Sequence, residues 1–225
     1  MKVNEKQVIC IPARAGSKRV KAKNLRDFCG KPLISHAIDK SKLLFPRQNI
    51  YVNSDSADIH QLAQASGVRS YIRDVELASD TATGDDFMMD FICNVEADTC
   101  IMINPVCPLI TEQDIKLAVQ AYERDDCDTL ISCSNTQMQT FCEGRPVNID
   151  ISEKLQPTQQ NPIISILNWG ITIWDTELFK ERYQNGSAYI GHKRLLFEIE
   201  PFHSIKISNE SDFSFAEKVF RSLQN

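Results

Sequence analysis

Apolar residues come along this chain in short bursts, and the spacing within each burst separates strands from helices. Val8-Ile9-Cys10-Ile11 is continuously apolar, which predicts a strand buried on both faces. Pro32 opens a helical pattern with Leu33, Ile34, Ala37, Ile38 and Ser41 at helical spacing. Ile50-Tyr51-Val52 predicts a second strand. Ser56 then caps a helix bearing Ile59, Leu62 and Ala63, and Gly67 ends it in the left-handed region. Val68 to Ile72 predicts a short strand, and from about Asp85 a helix places Met88, Phe91, Ile92 and Val95 on one face. Cys100 to Ile103 predicts another buried strand, stopped by Asn104-Pro105. Thr111-x-x-Asp114 has capping-box form ahead of a stripe of Ile115, Ala118, Val119 and Tyr122. Thr129 to Cys133 returns to strand. This alternation predicts an α/β fold with a mainly parallel sheet and helices on both faces.

The alternation breaks after Ser134. Residues 135–163 are polar, include Pro146, Pro157 and Pro162, and show no sustained helical period. A long structureless loop is unusual inside a compact unit, so the segment is expected to be a β-rich excursion or interaction arm, reaching to about residue 170. Ile164 to Trp174 predicts strand and Thr176 starts a short helix. Ser204 to Ile207 predicts a strand, and a last helix bears Phe213, Ala216, Phe220 and Leu223. Without repeats or low-complexity linkers, residues 1–225 are expected to form a single domain with an inserted arm.

Composition narrows the function classes. The chain has 225 residues, 42% hydrophobic and 24% charged, with a formal charge of -5. A mild negative charge speaks against nucleic acid as partner. No apolar run approaches the ~20 residues of a membrane span, and the Val8–Ile11 run is too short for a signal peptide. Eight cysteines without a CxxC pair suggest reduced thiols and a cytoplasmic location. His36, His60, His192 and His203 lie in unrelated segments and point to no shared metal site. Asp85-Asp86 suits a helix start, where the macrodipole favours acids.

Ligands of open α/β sheets bind beyond the C-terminal strand ends. The loop after the first strand holds Arg14, Lys18, Arg19, Lys21 and Lys23 within ten residues of an acidic chain. Gly16 permits close backbone approach, and Ser17 adds a hydroxyl donor. Such a loop can neutralise a triphosphate, although its glycine spacing is not that of a P-loop.

The segment IPARAGSKRVKAKNL, followed by GKPLISHAI, closely resembles the opening of the acylneuraminate cytidylyltransferases, the family of CMP-sialic acid synthetases. Arg73 through Asp80-Thr81-Ala82 is similar to the family's arginine-bearing stretch. Phe197-Glu198-Ile199 through Asp212-Phe213-Ser214-Phe215-Ala216-Glu217 is similar to its closing pattern. The resemblance implies a Rossmann-like nucleotidyltransferase fold and a homodimer whose arm reaches the partner's active site. It also implies CMP transfer from CTP to a nine-carbon keto-sugar acid with release of pyrophosphate. Arg14, Ser17, Lys18 and Lys23 would hold the phosphates, Lys23 nearest the reacting centre. Asn24 and Arg73 would contact the nucleotide, and Asp80-Thr81 would shape its pocket, with Gly16 and Asn104 also in the nucleotide site.

Several positions depart from the family pattern. The family binds Mg²⁺ through an Asp-x-Asp pair on its closing strand, where this chain has Lys206 and Ser208, so both charged ligands are replaced. Asp212 follows, but Asn209-x-x-Asp212 is better explained as a helix cap. The family's Gln-Pro-Thr-Ser-Pro reads Asn104-Pro105-Val106-Cys107-Pro108, and the Arg-Arg-Gln of its arm reads Thr158-Gln159-Gln160-Asn161. Asn168 and Gly170 match an Asn-Gly of the sugar site, with Trp169 between them. Two readings follow from the resemblance. One is an active transferase, its changed site serving a legionaminic, pseudaminic or related keto-sugar, or a different nucleotide. The other is a non-catalytic or weakly active homologue that binds nucleotide as a regulatory or structural partner.

Overall fold

Along the first strand, β1 (Gln7–Pro12), successive side chains enter different cores. Ile9 and Ile11 pack on one side, Val8 and Cys10 on the other, as strand geometry requires. The computed structural model, which describes residues 6–223, repeats this in β4 (Thr99–Ile103), where Ile101 and Ile103 join the first core and Cys100 and Met102 the second. The other strands of the sheet are β2 (Ile50–Ser54), β3 (Arg69–Ile72), β5 (Thr129–Thr136), β6 (Ile164–Asp175) and β7 (Arg194–Glu198). Their order is β7-β5-β6-β4-β1-β2-β3, and only β6 runs antiparallel to its neighbours.

Helices α1 (Leu33–Leu44), α2 (Ala57–Ala65) and α4 (Glu112–Arg124) contribute to the first core through Ile34, Ile38, Ile59, Ala63, Ile115 and Tyr122. Helices α3 (Gly84–Asn94) and α5 (Thr176–Gln184) cover the opposite face with Met88, Phe91, Ile92 and Phe179. The mainly parallel sheet with helices on both faces is therefore observed. Local signals fall where expected. Ser56 accepts from the Ile59 N–H, Thr111 and Asp114 form a capping box, and Gly67 has φ +73°.

A third, smaller core lies at the C-terminal edge of the sheet. Val20 of the basic loop, Phe28, Leu33, Leu109 and Ile207 pack there with Phe213 and Ala216 of α6 (Glu210–Ser222). Ile207 belongs to a segment expected to be a strand. It is instead irregular, because only its N–H finds the sheet side, bonding the Val106 carbonyl at 2.8 Å. Sequence reading also missed β7, an edge strand of alternately exposed and half-buried residues, and a short pairing of Asp27–Phe28 with Lys31–Pro32.

The arm differs from the β-rich expectation. Beyond the sheet end of β5 and β6, residues 137–163 contain one small hairpin, Phe141–Cys142 with Arg145–Pro146, and a single 3₁₀ turn, Thr158–Gln160. Buried amides replace ladder bonds. Asn148 Nδ2 donates to the carbonyls of Met138 and Pro162, while Gln137 and Asn161 exchange bonds between side chain and backbone.

His36 joins α1 to α6. Its ring is buried edge-on between Phe28 and Phe220, at 5.3 and 5.0 Å between centroids, and Nε2 donates to the Phe28 carbonyl. Burial lowers its pKa to about 4 from 6.5, although that carbonyl pulls the other way. The unfolded chain thus takes up a proton below about pH 6.5 that the folded chain refuses, so stability falls as pH drops through this window. About 3 kcal/mol of unfolding free energy should be lost between pH 6.5 and 4 on this account. Urea unfolding across pH measures it, and His36→Phe should remove that share of the loss. An unchanged pH slope in the variant contradicts the assignment.

Candidate active site

Strand order reverses at β1, which is flanked by β2 on one side and β4 on the other, the usual place for a ligand in an open α/β sheet. A cleft of about 220 Å³ opens there at the C-terminal strand ends. Six residues expected in the site line it: Arg14, Ser17, Lys23, Asn24, Arg73 and Asn104. No Asp or Glu is among its lining residues.

Lys23 is aimed by its own loop. Ala22 takes φ +49°, a left-handed conformation costing an alanine roughly 1–2 kcal/mol, and its carbonyl accepts from the N–H groups of Leu25 and Arg26. Lys23 Nζ then donates to the Ile207 carbonyl at 3.1 Å. Burial, and after it the nearby charges of Arg19, Lys206 and Arg14, hold its pKa below that of an ordinary lysine. Val20 and Ile207 share the third core, so this core pins the basic loop to the segment carrying Lys206 and Ser208.

Arg73, at the end of β3, is buried. Its Nε donates to Asn53 Oδ1 at 2.7 Å, and its guanidinium lies 4.4 Å over the Phe87 ring. Burial lowers its pKa. Asn24 Nδ2 donates to the Arg14 carbonyl, leaving a buried Oδ1 unpartnered in the cleft wall. Arg14 also bonds the carbonyls of Ala78 and Ser79, and with Lys18 it pairs with the exposed Asp80 carboxylate. Those cations, Lys18 foremost, pull the Asp80 pKa down. Asp80 and Thr81 therefore form a strap at the rim and do not line the cleft, the Thr81 hydroxyl meeting that of Ser79 at 3.2 Å. Gly16 has open space above it: an added Cβ would meet nothing within 4 Å.

Asn168 and Gly170 also stand apart from the cleft, behind its wall. They lie in a bulge of β6 between Leu167 and Thr172, with Trp169 at φ +59°. Asn168 Oδ1 accepts from Ser132 Oγ and the Gly170 N–H, and Nδ2 donates to Ser204 Oγ. The Gly170 carbonyl accepts the Asn104 N–H at 2.9 Å, while Trp169 packs against Tyr189 at 5.1 Å. The bulge braces two cleft residues, Asn104 and Tyr189.

Sequence reasoning missed the aromatic wall of Phe87 and Tyr189. Tyr189 sits in a polar turn without periodicity, held by Trp174, whose Nε1 donates to its carbonyl. Cys107, behind the cleft, is buried, and that burial pushes its thiol up to about 12. All eight cysteines are free. A larger cavity of about 320 Å³, beside Asp128, Arg182 and His192, shares no lining residue with this cleft.

Residues 8–198 match the family model described as cytidylyltransferase. The chain belongs to the cytidylyltransferase family. It is 32% identical over 217 residues to an N-acylneuraminate cytidylyltransferase of Streptococcus agalactiae serotype III (strain NEM316), covering 92% of this chain and 52% of that protein. It thus spans about half the length of that relative. Identity is 28% over 227 residues to CMP-N,N'-diacetyllegionaminic acid synthase of Legionella pneumophila subsp. pneumophila (strain Philadelphia 1 / ATCC 33152 / DSM 7513), covering 95% and 96% of the two chains. The solved structure of CMP:2-keto-3-deoxy-manno-octonic acid synthetase complexed with CTP shares the fold, with a TM-score of 0.72 at 18% identity over 97% of this chain and 99% of that one.

The donor set of this site does not suit Mg²⁺, a hard ion that wants carboxylate oxygen. Among the described residues no group of three or more His, Cys, Asp or Glu could hold a metal. Lys206 is exposed on the segment expected to bear the carboxylates. The Asp212 carboxylate is committed to the Ser208 and Asn209 N–H groups at 2.8 and 3.1 Å, completing the helix cap. Among the described residues no helix is long and apolar enough to cross a membrane.

Proposed function

We propose that this chain transfers CMP from CTP to a sialic-acid-like nine-carbon keto-sugar acid and releases pyrophosphate. The observation that carries the reading is a cleft at the strand-order reversal lined by Arg14, Lys23 and Arg73 and by no carboxylate, the chemistry of a polyanion site. The two relatives named for acidic sugars support the acceptor class. In this reading the acceptor's anomeric hydroxyl attacks the α-phosphorus in line. A C–O–P linkage forms, the bond from the α-phosphorus to the bridging oxygen breaks, pyrophosphate leaves with that oxygen, and the hydroxyl proton passes to solvent. Arg14, Ser17, Lys18 and Lys23 hold the phosphates. Asn24, Arg73 and the Phe87–Tyr189 wall hold the nucleoside, and Asn168 and Gly170 act on the sugar side through the wall they brace. The chemistry is positioning plus charge neutralisation, which requires no strong base.

A second copy of the chain is the partner in this proposal. Met138, Phe141, Ile151, Leu155, Ile163 and Ile166 are exposed on the arm, an apolar surface suited to burial in a homodimer. One observation favours the rival reading, a non-catalytic nucleotide-binding partner: both metal carboxylates are replaced. Pyrophosphate release with CTP, with and without Mg²⁺, across a panel of keto-sugar acids separates the two. Turnover with any acid supports the transferase, and CTP binding without turnover supports the rival.

A further inference from the structure

The groups that act on Lys23 form a set that repels metal and attracts phosphate. Arg14, Arg19 and Lys206 all place positive charge near its ammonium, and Lys206 is joined directly to Ile207, whose carbonyl accepts the Lys23 bond at 3.1 Å. Three like charges gathered around one half-buried ammonium gain nothing from one another and are held together by the fold. Val20 anchors the basic loop and Ile207 the closing segment in the same small core, and Lys23 bonds the carbonyl of Ile207 between Lys206 and Ser208. Three carboxylates bonded to the basic loop or the closing segment are already engaged. Asp80 pairs with Arg14 and Lys18 at the rim, Asp55 accepts the Ala15 N–H, and Asp212 caps α6.

We propose that Lys206 stands in for the divalent ion, so that the nucleotide's phosphates are neutralised by Lys23, Arg14 and Lys206 and the site takes CTP free of metal. This inference depends on the CTP reading above and sharpens it. A site that binds through side-chain cations prefers the unchelated tetra-anion, because Mg²⁺ bound to the phosphates cancels charge the lysines would otherwise meet. A site with carboxylate ligands shows the opposite preference. Ser208 contributes its N–H to the α6 cap, and its side chain can change without losing that bond.

Calorimetric titration with CTP, in EDTA and in Mg²⁺, tests this without reference to turnover. CTP is expected to bind in EDTA, and Mg²⁺ is expected to weaken the affinity by about threefold or more. Lys206→Ala should weaken binding in EDTA by about tenfold. Lys206→Asp with Ser208→Asp should reverse the ion's sign, so that Mg²⁺ strengthens binding. Circular dichroism of both variants guards against loss of fold. An affinity that Mg²⁺ leaves equal or raises in the unsubstituted protein overturns the inference and leaves the CTP reading standing, as does a Lys206→Ala variant that binds unchanged. Absence of CTP binding in both buffers overturns the CTP reading and the inference together.

Discussion

Lys23→Met is expected to lower pyrophosphate release by about 10²- to 10³-fold, the usual effect of deleting one charged group that meets developing negative charge. The same substitution should leave thermal stability unchanged or raise it. Lys23 is partly desolvated, with Arg19, Lys206 and Arg14 nearby, and among the described residues its hydrogen-bond partner is the Ile207 carbonyl. Removing it costs that bond and relieves the crowding. Activity and stability moving apart mark a residue placed for a ligand rather than for the fold. Because its pKa lies below the ordinary lysine value, CTP affinity should fall at lower alkaline pH than an unshifted lysine would give, and Lys206→Ala should move that fall upward. A Lys23→Met variant with unreduced turnover contradicts the site.

Arg182→Met should destabilise the fold by about 3–5 kcal/mol, the cost of leaving a buried charge without its partner. Arg182 meets Asp128 at 3.1 Å with both side chains buried. Burial raises the Asp128 pKa, but the Lys193 N–H, Thr129, Arg182 and the His192 N–H together bring it below the usual value. This pair ties α5 to the turn that leads into β7, with Gly191 at φ +73° packed so closely on Asp128 and Thr129 that a side chain has no room. For a chain of this length the thermal midpoint should drop on the order of 10 °C. Asp128→Asn added to Arg182→Met should recover part of it, because the orphaned charge is then gone. No drop in the single variant would show that the pair adds nothing.

Why some elements were legible in the sequence is clear from particular residues. β1 and β4 are buried on both faces, so their apolar runs are unbroken, and Thr111 and Ser56 announce helices through caps that act within four residues. The Ser204 to Ile207 strand failed because one deeply buried residue, Ile207, gave an apolar signal that comes from plugging a small core and not from pairing. β7 escaped because an edge strand beside β5 needs only alternate burial. In the site, the cations were visible because five of them are clustered in an acidic chain. Tyr189 and Phe87 were not, since what selects them is contact with Trp169, Arg73 and Trp174 across the sheet. Asn168 was assigned to the sugar from its motif, whereas its amide is spent on Ser132, Gly170 and Ser204.

A crystal structure of this protein grown with CTP is the most direct measurement. Phosphate density within hydrogen-bond reach of Arg14, Lys23 and the Gly16–Ser17 backbone, with the base toward Phe87 and Tyr189, is the predicted result. A nucleotide settled elsewhere, for instance in the larger cavity beside Arg182, with the basic cleft empty, would contradict it.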